Sequence, residues 1–152
     1  MAEFKLVVKT TAELSNVELL DILKVRTAVF VVEQNCPYQE VDDKDYTARH
    51  VMLKSADDLV AYTRIIQHDD NIHISFGRVL VVKAFRKLHL GRRIVAATIA
   101  EIQRRFPDQA IKIAGQSYLR EFYQSFDFKA VSAVYLEDNI PHIDFVLPAV
   151  TA

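Results

Sequence analysis

Apolar residues recur along the chain with two periods. Short β-branched and aromatic runs at Phe4–Lys9, His50–Lys54, Leu59–Ile66 and Ile72–Val82 have the composition of strands. After the first run the period lengthens. Val17, Leu20, Leu23, Thr27 and Phe30 fall on one helical face, which predicts a helix over roughly 16–31. Ser15 and Glu18 stand at capping-box spacing at its start, where side chains satisfy free amides. The stretch 33–47 holds Pro, Asn and many acids and reads as loop. Asp57-Asp58 predicts the turn of an antiparallel hairpin, and Asp69-Asp70-Asn71 a second turn before a central strand. Ile94, Val95, Thr98, Ile99 and Ile102 share a face, so Gly91–Phe106 reads as a helix that Pro107 stops. Ala110–Ala114 is then a short buried strand, and Ser117–Phe126 a helix with Ser117 as its cap. Two strands over 128–136 and 142–147 close the chain around the turn Glu137-Asp138-Asn139. The sum is a mixed α/β (α+β) architecture: antiparallel strands early, one β-α-β crossover, and a closing hairpin. No linker rich in Pro, Gly or Ser divides it, so 1–152 reads as a single domain.

Composition narrows the partners. With 51% apolar and 26% charged residues, global disorder is excluded. Nineteen Lys+Arg against twenty Asp+Glu leave a net charge of -1, with no bulk pull towards nucleic acid or an anionic membrane. A single cysteine, Cys36, excludes an intramolecular disulfide. No apolar run approaches the ~18–20 residues of a membrane span. The first residues lack the basic-then-apolar order of a signal peptide, and a cytoplasmic location is expected. His50, His68, His73 and His89 lack metal-ligand spacing, so no metal is expected.

The most informative window is 83–93, Lys-Ala-Phe-Arg-Lys-Leu-His-Leu-Gly-Arg-Arg, with five Lys/Arg and no acid. It lies between a predicted strand and a predicted helix. A helix start offers free N–H groups and the positive end of the dipole, so the window suits an anion such as phosphate. A solvated basic helix end and a nucleic-acid contact are the competing readings. The second lacks an additional basic stripe or aromatic-rich strand.

Gly77 to Gly91 resembles the strand–loop–helix signature of the GNAT acetyltransferases, whose pattern is Arg/Gln-x-x-Gly-x-Gly/Ala. Arg86 and Gly91 match it, and His89 stands where the family usually has glycine. Gln116 stands where the family often has Asn, with Phe122-Tyr123 seven residues on and Asp127-Phe128 in place of Gly-Phe. The block from Arg26 to Asp42 and the segment Leu136 to His142 look like the ElaA-type branch. The resemblance covers nearly the whole chain. It implies a GNAT acyl-CoA acyltransferase fold, a splayed central sheet flanked by helices, and acetyl-CoA as co-substrate. It places Val79, Leu80 and Val81 against the pantetheine arm, with the Val79 amide as oxyanion donor. Arg86, Lys87, Leu88, His89, Leu90, Gly91 and Arg92 would hold the pyrophosphate, and Gln116 would join the cofactor-binding set.

The resemblance also implies direct transfer of an acetyl group to a primary amine of a small molecule or peptide in a ternary complex. Tyr123 occupies the general-acid position for the departing thiolate. His142 and Glu33 are the candidate bases, with the choice between them open. The loop 33–45 carries five acids (Glu33, Glu40, Asp42, Asp43, Asp45) and would attract a cationic amine. Lys87, His89, Asp127 and Asn139 stand where the family has glycine, at positions that allow positive φ or close approach. These departures keep a non-catalytic acyl-CoA sensor of the same fold as the alternative. The resemblance leaves a homodimer open.

Overall fold

The computed structural model describes residues 3–151. Its contacts divide the chain into two compact units, Met1–Ile66 with Arg78–Thr98 and Gln67–Gly77 with Ile99–Ala152.

In the first unit, β1 (Phe4–Thr10) pairs antiparallel with β2 (Arg49–Ser55), from Phe4↔Ser55 to Thr10↔Arg49. β2 pairs antiparallel with β3 (Asp58–Gln67), with a bulge at Leu53/Lys54. The hairpin turns on Ala56 and Asp57, one residue earlier than predicted. Ala56 takes φ 54, and Asp58 already pairs with Ser55. The second half of β4 (Ile74–Val81) follows, with the Val82 amide donating to the Val60 carbonyl at 2.9 Å. Ile22, Val29, Met52, Leu59, Tyr62 and Leu80 form the core of this unit.

The helix α1 (Asn16–Arg26) begins at the predicted capping box. The Glu18 amide donates to the Ser15 hydroxyl at 3.1 Å, and the Ser15 amide donates to the Glu18 carboxylate at 2.9 Å. Beyond Arg26 the helix widens into a π turn over Thr27–Glu33. The predicted apolar face is not the one that packs most deeply. Val17 and Leu20 are 67% and 65% exposed, whereas Ile22, Arg26 and Val29 are buried. An arginine occupies the core stripe because carboxylates meet it there, a pairing that a hydrophobic pattern does not register.

In the second unit, β5 (Ile111–Gln116) pairs antiparallel with β8 (Ile140–Leu147), from Ile111↔Leu147 to Gln116↔His142. The first half of β4 pairs parallel with β5 at Ile74↔Ile111, the pair expected of a crossover through α2 (Leu90–Arg105). Between β5 and α3 (Arg120–Gln124) lies a 3-10 turn, Ser117–Leu119, preceded by Gln116. Ser117 therefore does not cap α3. The predicted strand 128–136 is two pieces, β6 (Lys129–Ala130) and β7 (Tyr135–Glu137), both paired with β8. The break occurs where the Ser132 hydroxyl accepts from the Asp144 amide at 2.9 Å, replacing a ladder bond. Asp138 and Asn139, at φ 49 and φ 64, form the tight turn between β7 and β8.

Candidate active site

In the first unit the residues singled out by the basic window meet at the end of β4. Arg78 stands at φ 52 in mid-strand. For a bulky non-glycine residue that conformation costs on the order of 1–3 kcal/mol, so its surroundings must enforce it. Val79–Val81 follow this bend directly in β4. Leu80 is buried, while Val79 and Val81 are half-buried.

After β4 the chain makes a 3-10 turn, Lys83–Leu88, and His89 follows at φ 56. That is the left-handed conformation for which glycine is favoured, and histidine adopts it with its side chain exposed. Lys87, the other replaced loop glycine, is not at positive φ. Leu90 is buried at the start of α2 and anchors it; the Arg93 amide donates back to the His89 carbonyl at 3.4 Å, and the amides before it point out of the helix end. Lys87 and Arg92 are exposed beside these amides, so a polyanion could be held by main chain and cation together.

Arg86 and Glu33 are brought together, in a way the sequence did not suggest. Arg86 Nε donates to the Val81 carbonyl at 2.9 Å, and Nη2 donates to Glu33 Oε2 at 2.8 Å. Arg86 thus ties the β4 edge to the end of the π turn, and the Glu33 carboxylate is engaged by a cation.

The acidic loop also differs from expectation. Glu40, Asp42 and Asp45 face three arginines rather than solvent. Arg26 Nη1 donates to Asp45 Oδ1 at 2.7 Å, and Nε donates to Glu40 Oε2 at 3.0 Å. Arg64 Nη1 donates to Asp42 Oδ1 at 2.7 Å, while Arg64 Nε is buried with no hydrogen-bond partner among the described residues. Arg78 Nε lies 2.8 Å from Glu40 Oε1. Burial opposes ionisation of Asp45, but the hydrogen bond from Arg26, the Asp42 amide and the charge of Arg64 hold it down at about 2. The charge that was to draw in an amine is largely neutralised within the protein. Beneath it, the Thr11 hydroxyl donates to the Asp45 carbonyl and so accepts from His50 Nε2 at 2.8 Å. His50 Nδ1 then accepts from the Tyr62 hydroxyl. Burial pushes His50 down to about 4, with Arg26 and Arg64 adding to the effect against the pull of Asp45.

In the second unit Tyr123, Gln116 and His142 cluster on the β5–β8 pair. Tyr123 is buried against Phe122, Phe128 and Phe145, with ring centroids 5.2, 6.1 and 5.4 Å away. A Cβ on Gly115 would sit 2.8 Å from the Tyr123 ring and 2.9 Å from that of Phe145, so only glycine admits these rings against β5. Among the described residues the Tyr123 hydroxyl has no protein partner. Burial, helped by Tyr118, pushes it up to about 12. It therefore stays protonated, but is a weaker acid than a thiol of pKa ~8.5. A hydroxyl in this state can donate a hydrogen bond but gives up its proton reluctantly. His142 pairs across the strands with Gln116. Its Nδ1 donates to the Ile140 carbonyl at 2.6 Å, which leaves the Nε2 lone pair free to accept a proton. Glu137 Oε2 lies 3.6 Å from Nε2, and the ring stacks on Tyr135. Asp127, at φ 73, keeps the left-handed turn after α3 without glycine.

A profile of the acetyltransferase (GNAT) domain matches residues 11–148. The chain belongs to the GNAT acetyltransferase family. It is 42% identical to Protein ElaA of Escherichia coli strain K12 over 144 residues, covering 93% of this chain and 94% of that one. The crystal structure of Escherichia coli ElaA superposes with a TM-score of 0.88 at 40% identity, over 93% of this chain and 98% of that chain. An acyl-CoA N-acyltransferase from Pseudomonas aeruginosa gives a TM-score of 0.90 at 35% identity, over 95% and 99% of the two chains. The resemblance read from the Arg86–Gly91 signature and the Arg26–Asp42 block is thus confirmed, and with it the GNAT fold of an open mixed sheet flanked by helices. Sequence reasoning missed the roles of Arg64 and Arg78. Arg26 could have been noticed as a charged residue in helical register with Ile22 on α1 and Val29 in the π turn that follows.

Proposed function

We propose that the chain works as one acyltransferase domain that moves an acetyl group from acetyl-CoA to a primary amine by direct attack in a ternary complex. The observation that carries this reading is the bend at Arg78, a strained residue in mid-strand directly before Val79–Val81. Strand main chain can pair with an amide-bearing arm as with another strand. The residues present fit the cofactor. The Val79–Val81 edge suits pantetheine, and the first-turn amides of α2 with Lys87 and Arg92 suit pyrophosphate. Gln116, in the second unit, is the remaining candidate contact with the coenzyme. The coenzyme supplies an activated thioester.

The Val79 N–H polarises the acyl oxygen as an oxyanion donor. The hydroxyl of Tyr123, protonated across the physiological range, donates a hydrogen bond at the leaving sulfur. His142 Nε2 accepts a proton from the attacking amine. His142 is favoured over Glu33 because Glu33 is held by Arg86, whereas the Nδ1 bond of His142 fixes the tautomer a base requires. Arg86 acts on Val81 and Glu33 rather than directly on phosphate.

The test is thioester cleavage followed by free-thiol detection over a panel of amines, polyamines, amino acids and peptides, with acetyl-CoA and longer acyl-CoAs compared. Amine-dependent thiol release is the expected result. Coenzyme A binding without release for any amine would replace the enzyme by a sensor, and no binding at all would overturn both.

A further inference from the structure

The segment Glu33–Asp42 grips the candidate acyl-CoA edge of β4 at both ends. At the near end, Arg78 Nε lies 2.8 Å from Glu40 Oε1, and Nη2 donates to the Glu40 carbonyl at 2.9 Å. The same Nη2 lies 3.4 Å from Asp42 Oδ2, and the guanidinium stacks 5.5 Å over the Tyr38 ring. Glu40 is itself fixed by Arg26 and by the Tyr38 hydroxyl, which donates to Oε1 at 2.7 Å. At the far end, the Val81 carbonyl is held by Arg86, and Arg86 by Glu33.

The left-handed backbone at Arg78 thus coincides with a side chain held on Glu40, Asp42 and Tyr38. Glycine would permit φ 52 but would not require it. Lysine would keep the charge, but lacks both the planar fork and a donor at the Nε position. The direction of the next amide, Val79 N–H, follows from the bend.

We infer that Arg78 is a positioning residue for acyl transfer: anchored on Glu40, it aims the Val79 N–H at the acyl oxygen. This rests on the reading of Val79–Val81 proposed above. The segment 33–42, whose acids first suggested an amine-attracting loop, then serves the acyl side of the reaction. A merely stabilising role would lower thermal stability and active fraction while leaving the kcat of folded enzyme unchanged. A positioning role lowers kcat and spares the binding of free coenzyme A, which has no acyl oxygen to orient.

Arg78→Lys and Arg78→Gly provide the test, with kcat at saturating acetyl-CoA measured beside the Kd of free coenzyme A. An oxyanion donor is worth on the order of 10²–10³ in rate, so a misdirected one should cost at least about tenfold in kcat, with Kd held within about threefold. A second readout needs no ligand. The short intraresidue amide-to-Hα contact of a left-handed residue, read by NMR at position 78, should be present in the wild type and lost in Arg78→Lys. The inference is overturned if Arg78→Lys keeps that contact, if either variant retains the wild-type kcat, or if Kd weakens in step with kcat. Failure of the underlying reading looks different: the wild-type protein itself would neither bind coenzyme A nor release thiol, and the inference would fall with it.

Discussion

Tyr123 shows how much one buried hydroxyl can reveal. Its ring is packed among three phenylalanines, and its hydroxyl makes no hydrogen bond to a described residue. Tyr123→Phe therefore removes no partnered bond and should leave the melting temperature nearly unchanged. If the hydroxyl supports the leaving sulfur, kcat should fall on the order of 10²-fold while the Kd of coenzyme A stays within about threefold, as expected of proton or hydrogen-bond assistance. Stopped-flow thiol release with equilibrium binding checks both. Gly115 makes the opposite case. Its substitution by alanine drives a Cβ to 2.8 Å from the Tyr123 ring and 2.9 Å from that of Phe145, both inside the core. Overpacking of this kind costs about 1–3 kcal/mol, and denaturant unfolding of Gly115→Ala should show a loss in that range. The sequence reading ended this strand at Ala114, one residue short of Gly115, and gave no sign of the pair of rings that requires glycine there.

Elements were legible where a local signal fixed them. The capping box at Ser15 and Glu18 set the start of α1, and the β-branched run before Val82 marked β4. The inward face of α1 was not legible, because Arg26 sits in the core among acids supplied from a distant loop. The same loop altered the expected parts of Glu33 and Arg86. If Arg86 holds the β4 edge, Arg86→Ala and Glu33→Gln should both raise the KM for acyl-CoA several-fold. If Arg86 instead binds phosphate, freeing it by Glu33→Gln should tighten coenzyme A binding. Titration calorimetry on the two variants decides between them.

The buried network under that loop also ties the whole molecule to pH. His50 titrates at about 4 in the folded state against 6.5 when unperturbed, because burial disfavours its cationic form. Between those values the unfolded chain binds more protons than the folded one, so stability falls as pH drops from 6.5 towards 4. The upper bound on this loss is on the order of 3 kcal/mol, from 1.36 kcal/mol per pKa unit. Asp45 and Glu18 act in a different window. Both are depressed to about 2, so their stabilisation is complete above their ordinary values of 3.8 and 4.5 and is lost only as pH falls through the lower range. The interval from 6.5 to 4.5 therefore isolates His50 from these two carboxylates. His50→Gln should be less stable than wild type at neutral pH, since it disturbs the bonds to Thr11 and Tyr62, but its stability should be nearly flat across that interval. Urea unfolding at half-unit pH steps measures both slopes. A wild-type curve as flat as that of the variant would mean that His50 takes up its proton in the fold as readily as in water, and that the Thr11–His50–Tyr62 chain is not the neutral relay its geometry describes.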